Sequence, residues 1–111
     1  MNRRAILESL LRFDQPLAEL EAAVAELDGD SEPVAIMTRS DIALVLRRYL
    51  AGLLDAEEVA RWASLIECRE DIEFEPRHEA AVADALFDLA NPDLQGQLSD
   101  ISSDVLALVE P

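Results

Sequence analysis

The sequence predicts an all-α fold: a compact helical bundle of five or six short helices in one domain of 111 residues. Three observations carry that prediction. Apolar residues recur at spacings of three and four along most of the chain, the period of a helix with one buried face. Thr38-Arg39-Ser40-Asp41 and Asp55-Ala56-Glu57-Glu58 each have the form of a capping box that opens a helix. The connections between periodic segments are short, as between antiparallel helical neighbours.

The elements follow in order. Residues 2–12 place Ile6, Leu7, Leu10 and Leu11 on one side of a short amphipathic helix. Asp14 is positioned to cap a second helix with Pro16 in its first turn; Leu17, Leu20, Val24 and Leu27 share a face, and Gly29 ends it. Asp28 to Pro33 is a loop. It lacks the alternating ligands and closing glutamate of a calcium loop. Val34 to Met37 reads either as a brief extended segment or as a buried approach to the next helix.

The Thr38 box opens the strongest helix in the chain. Ile42, Val45, Leu46, Tyr49, Leu50 and Leu53 form its apolar stripe, Arg47 and Arg48 lie outside, and Gly52 ends or kinks it. The Asp55 box starts another helix almost at once, with Val59, Trp62, Ala63 and Ile66 inward, so the two make a helical hairpin at the centre of the core. Glu70 to Pro76 alternates acidic and apolar residues. Asp and Glu form strands poorly and a lone strand needs a partner, so this stretch reads as a connector that buries Ile72 and Phe74 and turns its carboxylates outward. A helix from about Arg77 buries Ala81, Val82, Ala85, Leu86 and Leu89, and Asn91-Pro92 closes it. Gln95-Gly96-Gln97 is loop, and Ser99 can cap a last helix bearing Ile101, Val105 and Leu108. The whole chain, 1–111, reads as one helical domain, with an N-terminal helical pair over 1–30 and a main bundle over 38–111.

Charge separates the function classes. The chain holds 24 Asp and Glu against nine basic residues, all arginine, for a net charge of −15 on a composition that is 50% hydrophobic. Such a field repels phosphate backbones and argues against direct nucleic-acid binding, while the apolar half argues against disorder. Residues 1–55 carry net −4 and residues 56–111 net −11. The densest cluster is Glu67, Glu70, Asp71, Glu73 and Glu75, joined by Glu79, Asp84 and Asp88 on the next helix. Two readings fit it: a solvated face that keeps a small bundle soluble, or a docking face for a cationic partner, whose encounter the field would speed.

No catalytic motif is present. Glu75-Pro76-Arg77-His78 has the Glu-x-x-His spacing of carboxylate-bridged metal sites, but it occurs once and Pro76 places Glu75 ahead of the helix, so no metal or cofactor is expected. His78 is the only histidine and has no recognisable nucleophile beside it. Cys68 cannot form an intrachain disulfide, and Glu67, Glu70 and Asp71 disfavour its thiolate. Trp62 and Tyr49, at helical spacing with aliphatics, read as core whose polar tips need partners. The opening Met1-Asn2-Arg3-Arg4 resembles a signal-peptide start, but Glu8 and Arg12 break the apolar run that should follow, and no stretch approaches the ~20 apolar residues of a membrane span. A cytoplasmic, non-enzymatic protein is expected.

Thr38-Arg39-Ser40-Asp41-Ile42, Arg48-Tyr49-Leu50-Ala51-Gly52, Trp62-Ala63, Glu67-Cys68-Arg69-Glu70-Asp71-Ile72 and Leu89-Ala90-Asn91-Pro92 together resemble a group of small bacterial proteins with no assigned activity, over roughly residues 38–98. Tyr49-Leu50-Ala51-Gly52-Leu53, Glu57-Glu58-Val59 and Trp62 are also similar to the helical immunity proteins of the colicin D type. That likeness implies a small acidic bundle that blocks the basic active site of a toxin nuclease, with the cluster of residues 67–79 facing the toxin. The alternative is a self-associating or adaptor domain, a possible homodimer, whose N-terminal helices pair between chains through Leu10, Leu11, Leu17 and Leu20.

Overall fold

The structure is a computed structural model that describes residues 3–27, 33–67, 69, 71–91 and 105–107. Its elements run in the order α1 (Arg3–Arg12), α2 (Leu17–Ala25), β1 (Ala35–Met37), α3 (Arg39–Leu50), α4 (Ala56–Glu67), β2 (Ile72–Phe74) and α5 (Glu79–Ala90). Residues 105–107 are helical, and Val105 joins the core. The expected Gly29 stop, the Gln95 loop and the Ser99 cap lie outside the described residues.

The fold is mostly helical but not purely all-α. Val34–Met37 and the acidic stretch that follows α4 pair with each other in a two-stranded parallel sheet, in the register Ala35↔Ile72, Ile36↔Glu73 and Met37↔Phe74. Parallel strands need a crossover of a dozen or more residues, and the α3–α4 hairpin supplies it. Bonds from Val34 N–H to the Asp71 carbonyl (2.9 Å) and from Glu75 N–H to the Met37 carbonyl (3.0 Å) extend the pairing at both ends. Ile72 and Phe74 do pack inward and Glu73 does point out, as alternation requires.

The starts of α3 and α4 match their sequence signals. Thr38 Oγ1 accepts from Asp41 N–H (3.3 Å) and Asp41 Oδ2 accepts from Thr38 N–H (2.9 Å), completing the box on α3. Asp55 and Glu58 exchange the same pair of bonds at α4, at 2.8 and 3.1 Å. Gly52, at φ +82°, closes α3 in a Schellman motif: its N–H reaches the Tyr49 carbonyl and Leu53 N–H reaches that of Arg48. The apolar stripe of α3 therefore stops short of its expected end. Leu50 and Leu53 are exposed, Leu53 at 73%, because the cap turns the chain away from the core.

Asp14 does not cap α2, whose N-cap position is Pro16 with no side-chain bond. It accepts instead from the hydroxyl of the buried Ser9. Phe13 between them holds a left-handed φ of +49°, which a non-glycine residue adopts only at a cost. Packing sustains it. The Phe13 ring stacks on Trp62 with centroids 6.0 Å apart, and Arg48 Nη1 donates to the carbonyls of Arg12 (3.1 Å) and Phe13 (2.7 Å) at the end of α1.

One core cluster runs through all these elements. Trp62 is fully enclosed at its centre, and its indole Nε1–H donates to the Leu10 carbonyl at 2.6 Å, tying α4 to α1. Val59, Ala63 and Ile66 flank it as expected, and Val82, Ala85, Leu86 and Leu89 of α5 pack against α4. Leu10, Leu11, Leu17 and Leu20, the residues that would pair two chains, are buried against their own chain. Among the described residues, no helix is long and apolar enough to cross a membrane.

Candidate functional site

The acidic cluster predicted as a partner-facing surface divides into structural and free carboxylates. Asp71 is the largest departure from expectation. Its side chain is 0% exposed, accepting from Arg69 Nε and Nη2 (2.8 Å each) and from Arg3 Nη1 (2.5 Å). Hydrogen bonding to Arg69 and then to Arg3 outweighs the effect of burial and holds the Asp71 carboxyl below the usual range. An enclosed carboxylate satisfied by two guanidiniums offers nothing to a partner. It fastens the start of α1 to the entry of β2.

Glu75 is also committed inside the fold. Its Oε2 accepts from Arg39 N–H at 2.7 Å, placing a negative charge at the N-terminus of α3, where the helix dipole favours it. Its Oε1 lies 3.6 Å from the buried Arg39 Nε, beyond a good hydrogen bond, and 3.8 Å from His78 Nε2. His78 occupies the N-cap position of α5 without a side-chain cap. The helix starts at Glu79, two residues later than expected, because Pro76-Arg77-His78 form a turn closed from His78 N–H to the Glu75 carbonyl. Among the described residues no group of three or more potential ligands could hold a metal ion.

Glu67, Glu73 and Glu79 remain on the surface, at the end of α4, on the outer face of β2 and in the first turn of α5. Glu70 and Cys68 lie outside the described residues. The outer side of α5 adds a patch that the predicted set omits. Asp84, Phe87 and Asp88, at i, i+3 and i+4, share one face of the helix, with Phe87 43% exposed. Partial burial, and then the neighbouring Asp84, push the Asp88 carboxyl up. None of Glu73, Glu79, Asp84 and Asp88 makes an ion pair with a described residue. The signal was legible in the sequence: if Leu86 and Leu89 face in, Phe87 faces out between two aspartates.

A separate concavity lies elsewhere. A groove of about 780 Å³ runs between α1 and β1, bordered by Arg4, Glu8 and Arg12 on one side and by Val34, Ile36 and Glu73 on the other. Comparison of the chain with known protein families, curated proteins and solved structures gives no match in any of the three.

Proposed function

We propose that this protein is a non-enzymatic, cytoplasmic binding protein that docks a basic protein partner, in the manner of an immunity or antitoxin-type inhibitor that occludes a cationic active site. The observation that carries the reading is the outer face of α5, where the exposed Phe87 sits between two carboxylates that have no cationic counterpart among the described residues. Like charges held one helical turn apart cost stability, and the 43% of Phe87 left exposed adds no burial to the fold; both become favourable against a surface of Lys and Arg with an apolar pocket. Glu73 and Glu79 extend the free negative surface, whereas Asp71 and Glu75 belong to the scaffold. On this reading the partner's basic groups pair with carboxylates where they would otherwise hold phosphates, and catalysis or nucleic-acid binding by the partner is blocked by occlusion.

The test is co-purification from the native cell at low ionic strength, using the wild-type chain beside an Asp84→Lys/Phe87→Ala/Asp88→Lys variant. A basic protein retained stoichiometrically by the wild type, released as salt rises and absent from the variant supports the reading. Identical recovery on both chains would exclude the α5 face as the docking surface.

A further inference from the structure

We propose that the partner element seated on α5 is itself an α-helix, cationic and amphipathic, which packs lengthwise along the outer face of α5 with an apolar seam bordered by Lys or Arg. The inference rests on the docking role of α5 and adds the shape of what docks there.

The pattern of α5 is the first argument. Its inward face, Val82, Ala85, Leu86 and Leu89, is buried against the core. The rest of the helix is nearly as apolar: of the 12 residues from Glu79 to Ala90, only Glu79, Asp84 and Asp88 are polar. A helix that is apolar all round is normally enclosed, yet Ala80 and Phe87 are exposed and Ala83 and Ala90 only half-buried. These four residues follow one another at spacings of three, four and three, the average of about 3.5 residues at which one helix seams against another. They make a single stripe about 15 Å long. Alanine at Ala80, Ala83 and Ala90 lets a second backbone come close. Phe87 stands among them as one large knob, the shape that enters the hole between side chains of a facing helix. An extended segment, whose side chains alternate with a period of two, has no repeat that matches this stripe.

Charge selects the sign of the docked helix. No basic residue lies on α5. The helical period puts Asp84 and Asp88 along one flank of the stripe and Glu79 along the other. None of the three makes an ion pair with a described residue. Cations one turn apart on a facing helix meet Asp84 and Asp88 at their own spacing, as charges beside a coiled-coil seam choose a partner. The α5 of a second copy does not fit, because it would set carboxylates against carboxylates. The occupant is therefore a helix of the groove-docking kind, read by apolar anchors at spacings of three and four, with Lys or Arg where α5 has its acids.

The experiment follows backbone amide shifts of the isotope-labelled full chain at low salt during titration with a peptide of three tandem copies of Leu-Ala-Ala-Leu-Lys-Ala-Lys. Saturable shifts at Ala80, Ala83, Asp84 and Phe87 are expected, and the peptide, labelled in turn, should take helical shifts when bound. The counterpart with glutamate for every lysine should give none on α5. A third peptide, with proline for one central alanine of each copy, keeps the charge and loses the helix; it should bind about tenfold more weakly. Ala83→Gln lengthens one side chain of the stripe without changing its charge and should weaken the lysine peptide about tenfold. Ala80→Gln, at an exposed position, repeats that measurement if Ala83→Gln disturbs the fold. No saturable shift on α5, shifts centred elsewhere, or unchanged affinity in both glutamine variants would overturn the proposal. Equal binding of the lysine and proline peptides on α5 would refute the helix alone and leave the docking role standing. A basic protein recovered equally on the wild type and on the Asp84→Lys/Phe87→Ala/Asp88→Lys variant would refute the docking role, and the helix with it.

Discussion

Replacing Asp71 with asparagine should be among the most damaging single changes in this protein, despite lying in what the sequence presents as an acidic surface. The substitution keeps the shape and removes the charge. Three charge-assisted hydrogen bonds converge on the enclosed carboxylate, from Arg3 and from both donor nitrogens of Arg69. The amide can accept only on its oxygen, and it turns an N–H₂ donor toward a guanidinium that also donates. Breaking a buried ion pair by removing one partner costs about 3–5 kcal/mol, and the lower end applies here because both arginines are partly exposed and can rehydrate. A loss of about 3 kcal/mol is a substantial part of the ~5–15 kcal/mol that holds a small domain together, and corresponds to a Tm lower by roughly 12 °C. Urea denaturation followed by far-ultraviolet circular dichroism at neutral pH gives the number. The pH dependence adds a second constraint. The folded Asp71 carboxyl titrates below its unfolded value, so its contribution is complete above about pH 4 and disappears as pH falls through the lower, folded value. The gap between wild type and Asp71→Asn should therefore be constant near neutrality and shrink in acid. A difference under about 1 kcal/mol, the level of an ordinary surface pair, would refute the reasoning.

Three further changes test the frame that holds the site. Thr38→Ala removes one arm of the α3 capping box and should cost about 1 kcal/mol in urea denaturation. In Gly52→Ala the added Cβ meets nothing within 4 Å, so the expected loss of about 1–2 kcal/mol is purely the cost of a left-handed φ, and a crystal structure or amide spectrum should show no repacking. Trp62→Phe removes the indole bond to the Leu10 carbonyl, which then keeps only its bond from Phe13 N–H, and leaves a smaller ring against Phe13; circular dichroism melts should report a loss of about 2–3 kcal/mol.

Local signals in the chain were reliable for α3 and α4, though not for the Asp14 cap of α2 or for the end of the α3 stripe at Leu50 and Leu53. Both capping boxes, the Gly52 stop and the inward set Val59, Trp62, Ala63 and Ile66 follow from spacing and hydrogen-bond chemistry within a few positions of each other. The sheet was hidden for the opposite reason. Each strand is three residues long, and what makes them strands is a parallel pairing across 37 positions, which no local pattern encodes. Asp71 illustrates the same limit for the site. In sequence it is one acid among Glu67, Glu70, Glu73 and Glu75, and it takes Arg3, returning from the start of the chain, together with the neighbouring Arg69 to make it a buried anchor. Glu75 was misleading for a related reason, since its target is the backbone of Arg39, distant in sequence. By contrast, the Asp84-Phe87-Asp88 face needs only the helical period of α5. Density of charge along the chain favoured residues 67–79 and joined Asp84 and Asp88 to them, but left out Phe87 between the two.

The central claim is that the uncompensated carboxylates around Phe87 steer a basic protein onto α5. It is tested most directly by the association rate of the wild-type chain with any basic protein that co-purifies with it, measured as ionic strength shortens the Debye length from about 30 to about 8 Å. Steering by this face requires a rate that falls by roughly ten- to a thousandfold over the series, and a shallower dependence when Asp84 and Asp88 are both replaced by asparagine. A rate insensitive to salt, or a dependence that the two substitutions leave unchanged, would contradict it.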